Sequence, residues 1–240
     1  MTKEEILRDF FNTALKGESK TYNDHNWYTT GNTLNGYIEG RNKNPYSLLK
    51  KPLSQYTIGE IKAFQSNPRN SVGQLWATGR YQIIPSTLKG VQQRLGLPDS
   101  TKYDATTQDK MGLDLLISRK SIKNYLSASV PDTKENLEKA SLDVARIWSS
   151  VGVPFDTQGH RQFVAKNQSY YSGGGDRASV KTEDVQEALK KLRIKYDDLF
   201  KWKSSGGEKK NRSWLYISLV VLGLAGVGFA VYKIVKSKNK

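Results

Sequence analysis

Nineteen consecutive residues without a charge, Trp214 to Tyr232, constrain this chain more than any other feature. At a rise of about 1.5 Å per residue the run makes a helix of roughly 28 Å, close to the thickness of one bilayer core. Trp214, Tyr216 and Tyr232 stand where interfacial aromatic side chains belong. Basic residues bracket the run: Lys209, Lys210 and Arg212 precede it, and Lys233, Lys236, Lys238 and Lys240 follow. A helix buried in a soluble core has no use for such brackets. The spacing therefore predicts one C-terminal transmembrane helix over 214–232 and a basic tail over 233–240. The brackets are too nearly balanced to set an orientation. Gly226 and Ala230 form a small-xxx-small pair suited to self-association of such helices.

The charge distribution points the same way. The net charge is +15, yet residues 190–240 hold 13 Lys and Arg against 3 Asp and Glu, whereas residues 1–189 hold 25 against 20. Most of the excess flanks the apolar run, which favours an anionic lipid surface over nucleic acid as its partner. The chain has no cysteine and only two histidines, His25 and His160, so neither a thiolate nor an all-histidine metal site is expected; the expected chemistry uses no metal and no cofactor.

Upstream of the span the patterning is mostly helical. Ile6, Phe10 and Ala14 recur at helical spacing, with Leu7, Phe11 and Leu15 widening the same face, and the helix ends near Gly17. Its acidic start and lack of a long apolar run do not read as a secretory signal. Residues 18–44 are polar and rich in Asn, Tyr, Thr and Gly, which reads as loop with a short hairpin. Trp27, with Tyr22 and Tyr28, gives this loop aromatic bodies that suit either a sugar-binding face or a plug onto the core. Thr57 and Glu60 spell a capping box for a helix over 57–65. Further helices are expected over 86–95, stopped by Gly96, over 106–126, and from Asp132 or Thr133 to Trp148. The Ser-Tyr-Tyr-Ser-Gly-Gly-Gly-Asp stretch between Gln168 and Arg177 reads as a flexible tie. It leads to a charged helix from Thr182 to about Phe200, with Val185, Leu189 and Leu192 on its apolar side.

Two stretches carry candidate chemistry. In Ala77 to Leu88, Gly79 frees the backbone for a close approach or for positive φ, Tyr81 and Gln82 present an aromatic–amide pair, and Pro85 to Thr87 open a helix. The second is Lys16-Gly17-Glu18-Ser19 at the end of the first helix. The negative end of the helix dipole, with burial, favours a protonated Glu18, and a protonated carboxyl is what glycosidic cleavage needs. Asp24, Glu39 and Asp104 remain open as further acids, and Glu39 is the rival for the same role. Glu60 is occupied by its capping box.

Glu18-Ser19 followed by Tyr22-Asn23 resembles the E-S-x-x-(Y/F)-N signature that closes the first helix of lysozyme-like lytic transglycosylases. Gly79-Arg80-Tyr81-Gln82-Ile83-Ile84-Pro85-Ser86-Thr87 resembles their G-L-M-Q-I-M-P-x-T signature, and is closer still to the A-G-R-Y-Q-L-L of lambda-type phage endolysins. Gln93 to Asp99 and Ile147-Trp148-Ser149-Ser150 are similar to two further blocks of those enzymes, in the same order. The resemblance covers roughly residues 5–160. It implies a mainly α, α+β lysozyme-like globular domain with a small loop/β region, over 1–170. A tie and charged helix would follow over 171–203, and a linker over 204–213. It further implies that Glu18 is the catalytic acid/base and that Gln82 and Tyr81, with Ser19, Tyr22 and Asn23, bind substrate. The implied reaction cuts the β-1,4 bond between N-acetylmuramic acid and N-acetylglucosamine of peptidoglycan. Glu18 would protonate the leaving oxygen and then help the 6-hydroxyl close a 1,6-anhydro ring. The alternatives are a muramidase using a second carboxylate and a non-catalytic wall-binding virion membrane protein. A wall-cleaving domain with a C-terminal anchor fits the membrane of a lipid-containing phage virion, or else the host inner membrane.

Overall fold

In the computed structural model of the chain, residues 3–19, 21–23, 25–29, 32–35, 51–67 and 74–200 are described. They form a mainly helical α+β arrangement with two small antiparallel sheets. The chain divides into two units, Met1–Trp202 and Lys203–Lys240. The second unit holds the expected linker, transmembrane helix and basic tail, all of which lie outside the described residues. Among the described residues no helix is long and apolar enough to cross a membrane.

The first helix, α1 (Lys3–Ala14), buries the face that its spacing marks out: Leu7, Phe10, Phe11, Ala14 and, just past its end, Leu15. Strands β1 (His25–Thr29) and β2 (Asn32–Asn35) pair antiparallel, which is the short hairpin expected in the polar loop. Strand β3 (Gln74–Thr78) adds to the other edge of β1, giving the order β2-β1-β3. Helix α2 (Ile58–Gln65) starts at the expected capping box: Glu60 N–H donates to the Thr57 hydroxyl at 3.2 Å and Thr57 N–H to the Glu60 carboxylate at 2.6 Å. Helix α3 (Pro85–Leu95) has Pro85 in its first turn and stops at Gly96, whose φ of 62° is left-handed.

The single helix expected over 106–126 is two. Helix α4 (Ala105–Ile117) ends at Ser118, and α5 (Lys120–Leu126) begins after Arg119, which is extended at φ −86°, ψ 117°. Neither Gly nor Pro marks the break. It lets α5 swing onto α6 (Lys134–Ile147) and bury Ile122, Tyr125 and Leu126 there, while α4 buries Met111 and Leu116. The seam is a tertiary requirement that local propensity does not carry.

The stretch read as a flexible tie is a built loop. Gly152 bridges Ser169, His160 N–H donates to Tyr170 O at 2.8 Å, and a 3-10 turn spans Ser172–Gly174. A two-stranded ladder of β4 (Thr157–Gln158) and β5 (Phe163–Val164) precedes it. Helix α7 (Thr182–Phe200) then packs along α1 and against α5 and α6, burying Val185, Ala188, Leu189 and Leu192. A boundary after residue 170 therefore does not separate two bodies, because the compact unit extends to Trp202. Each large aliphatic side chain buried in this way is worth roughly 1.5–3 kcal/mol against exposure.

Candidate functional site

The chain between β3 and α3 makes a four-residue turn, Gly79 to Gln82, closed by paired hydrogen bonds between Thr78 and Ile83. Gly79 has φ 73°, and a Cβ there would lie 2.2 Å from Gln108 Oε1, so both conformation and space require glycine. Gln82 has φ 47°, an uncommon value for a residue with a side chain, and its amide donates to Gly79 O at 2.9 Å. Buried groups hold the turn from outside. Gln65 of α2 donates to Trp76 O and Ile83 O at 2.9 and 3.1 Å, and Gln108 of α4 accepts from Arg80 N–H at 2.9 Å.

Arg80 joins this turn to the end of α1. Its guanidinium donates to Ser19 O at 3.0 Å and to Asn12 Oδ1 at 2.6 Å. Tyr22 and Tyr81, one from each motif, both donate to Asp109 Oδ1, at 2.7 and 2.8 Å. Burial, with the Asp109 carboxylate adding to it, pushes the Tyr22 phenol up to about 12 and raises Tyr81 as well. The Tyr81 ring lies edge-on to Phe11, and Phe11 in turn lies edge-on to Trp148.

Glu18 sits in the turn that follows α1. A Cβ on Gly17 would come within 1.9 Å of Ser179 Oγ and 2.8 Å of Ser150 Cβ, so glycine lets this turn press against the chain after α6 and the chain before α7. That approach sets Glu18 Oε1 to accept the Ser150 N–H at 2.8 Å. Burial raises the Glu18 carboxyl above its ordinary value, the Ser150 hydrogen bond opposes the rise, and the negative charge of Asp176 adds to it.

Glu18, Tyr81 and Gln82 line one cleft of about 760 Å³, together with Trp76, Trp148 and Asp176. Ser19, Tyr22 and Asn23 do not line it. The Ser19 hydroxyl donates to Thr21 O at 2.8 Å, Tyr22 is bound to Asp109, and Asn23 Oδ1 accepts Ser54 N–H at 2.9 Å. These hydrogen bonds fasten the chain that carries Glu18. Tyr81 shapes the wall with a buried ring whose hydroxyl is turned to Asp109. Among the other acids, Asp104 caps α4 through Thr107 N–H at 2.9 Å and is not on the cleft. Asp24 and Glu39 lie outside the described residues, as do the side chains of Trp27 and Tyr28.

Trp76 and Asp176 are among the cleft residues that were not singled out from sequence. Trp76 is an outward-facing side chain of β3, between buried Leu75 and Ala77, and the strand's alternation is the signal that would have found it. Asp176 lay in the Gly-rich stretch, where no local pattern marks it. Among the described residues no group of three or more His, Asp and Glu side chains could hold a metal ion. No family model, characterised protein or solved structure matches the chain.

Proposed function

We propose that the unit Met1–Trp202 cleaves peptidoglycan glycan strands as a lysozyme-like lytic transglycosylase, with Glu18 as its acid and then its base. The observation that carries this reading is the Glu18 carboxyl itself. It is held by one backbone N–H, raised by burial, and set on the wall of a cleft of about 760 Å³. A carboxyl kept protonated can give its proton to the glycosidic oxygen as the bond to the anomeric carbon breaks. The resulting carboxylate takes the proton of the 6-hydroxyl as that oxygen closes on the same carbon. Trp76 offers an apolar face to a pyranose ring, and the strained Gln82 turn presents an amide from the same cleft. The resemblance of both motifs to this family supports the reading, and so does their convergence on one cleft.

Asp176 favours a second reading. It lines the same cleft and is close enough for its charge to act on Glu18. A second carboxylate in that relation could activate water and make the reaction a hydrolysis. Digestion of purified peptidoglycan by the full chain in detergent, with mass analysis of the fragments, separates the readings. Anhydro ends are expected. Reducing ends that disappear in Asp176→Asn would establish the hydrolase, and intact glycan would leave a wall-binding membrane protein and refute cleavage altogether. With the anchor over 214–232, we place the protein in a membrane, that of a lipid-containing phage virion or of its host.

A further inference from the structure

Three guanidinium groups line the cleft besides the groups already described: Arg94 of α3, Arg119 at the α4–α5 break and Arg146 near the end of α6. Two of them are held. Arg94 makes a two-pronged bond to Asp114 Oδ2, at 2.9 and 2.6 Å. Arg146 donates to Asp143 at 3.2 Å and lies over the Tyr170 ring at 5.4 Å. Arg119 is exposed and has no carboxylate partner among the described residues. It stands within electrostatic reach of Tyr171, whose hydroxyl is tied to Arg146 O at 2.7 Å.

The backbone at Arg119 is a second, independent observation. A run that reads as one helix is broken there without Gly or Pro, and both residues of the break, Ser118 and Arg119, come to line the cleft. The packing of α5 on α6 that forces this break also sets both residues on the cleft wall. An arginine whose charge is unspent, on the wall of a polymer-binding cleft, is suited to a planar two-oxygen anion.

We propose that Arg119 is a carboxylate-binding subsite that selects glycan strands still carrying their peptide side chains. The proposal rests on the peptidoglycan reading of the cleft. In such a polymer the N-acetylated sugars are neutral, and the lactyl group is used up in the amide to the peptide. The peptide carboxylates therefore supply the negative charge near the cleavage point. Arg119 would pair with one of them and hold the substituted sugar in register with Glu18.

The test compares native peptidoglycan with the same material after its carboxyl groups are converted to methylamides. The full chain and its Arg119→Gln and Arg119→Lys variants are used in detergent. Wild-type protein is expected to show a KM about tenfold lower on native than on amidated material, with kcat changed by less than about twofold. Arg119→Gln should raise KM on native material by about the same factor and lose the discrimination, while Arg119→Lys should restore part of it. Equal discrimination by wild type and Arg119→Gln would overturn the subsite and leave the cleavage reading intact. Co-sedimentation of Glu18→Gln, with and without Arg119→Gln, on both polymers gives a readout free of turnover. If nothing is cleaved yet binding still falls about tenfold with Arg119→Gln on native material alone, the subsite stands and the reaction is refuted. Binding indifferent to both changes overturns the subsite.

Discussion

At the scale of single residues the site combines a stabilised geometry with two unfavourable groups, Glu18 and Gln82. Because the Glu18 carboxyl is raised in the folded state, it favours folding fully below its ordinary value of 4.5. That contribution is lost as pH rises through the raised value. Glu18→Gln cannot ionise. Its thermal stability should equal that of wild type in acid and exceed it toward neutral pH, while cleavage falls at least about a hundredfold. Melting curves across that pH range check this, and parallel curves for the two proteins would refute the burial of Glu18. Gln82 holds a left-handed backbone at φ 47°, which costs an ordinary residue roughly 1–2 kcal/mol. Gln82→Gly should therefore be more stable than Gln82→Ala by about 1 kcal/mol in denaturant unfolding, although both lose the amide and turn over more slowly. Equal stabilities would mean that the turn relaxes.

At the scale of elements, α7 is the piece whose role the sequence leaves open, and its packing gives it one. Leu189 is fully buried where α7 lies on α1, α5 and α6. Leu189→Ala should cost about 2–5 kcal/mol in denaturant unfolding, as for a core helix. A loss below about 0.5 kcal/mol would return α7 to the status of a stalk. The apolar side that predicts this, Val185, Leu189 and Leu192, is legible from period alone, as are the α1 face, the Thr57 capping box and the Gly96 stop. Glu18, Tyr81 and Gln82 are legible as a cleft-lining set only through the paired motifs. Arg80, Gln108 and Asp109, which bind those motifs together, are not, because the hydrogen bonds join residues 28 to 87 positions apart. The break at Arg119 and the ordered loop carrying Asp176 are hidden for the same reason. Each is stabilised by packing from other elements, and a Gly-rich or helix-favouring string looks alike whether or not those elements are present.

At the scale of the molecule, the strong cationic bias of residues 190–240 and the apolar run at 214–232 predict two different kinds of membrane attachment. A purely electrostatic contact is worth about 1 kcal/mol per Lys or Arg near an anionic surface and collapses in high salt, where the Debye length falls to about 3 Å at 1 M. An inserted helix is indifferent to salt and to lipid charge. The full chain reconstituted with vesicles of neutral phosphatidylcholine should therefore float with them both at low salt and at 1 M salt. Placing a charge at the centre of the run, Leu222→Arg, costs roughly 2.5–3.5 kcal/mol of insertion on the biological scale and should release a large part of the protein. Flotation only with anionic vesicles, abolished by 1 M salt and unaffected by Leu222→Arg, would replace the anchor with a surface contact. That outcome would leave the cleft chemistry of Met1–Trp202 as proposed, but would remove the reason for placing it on a virion membrane.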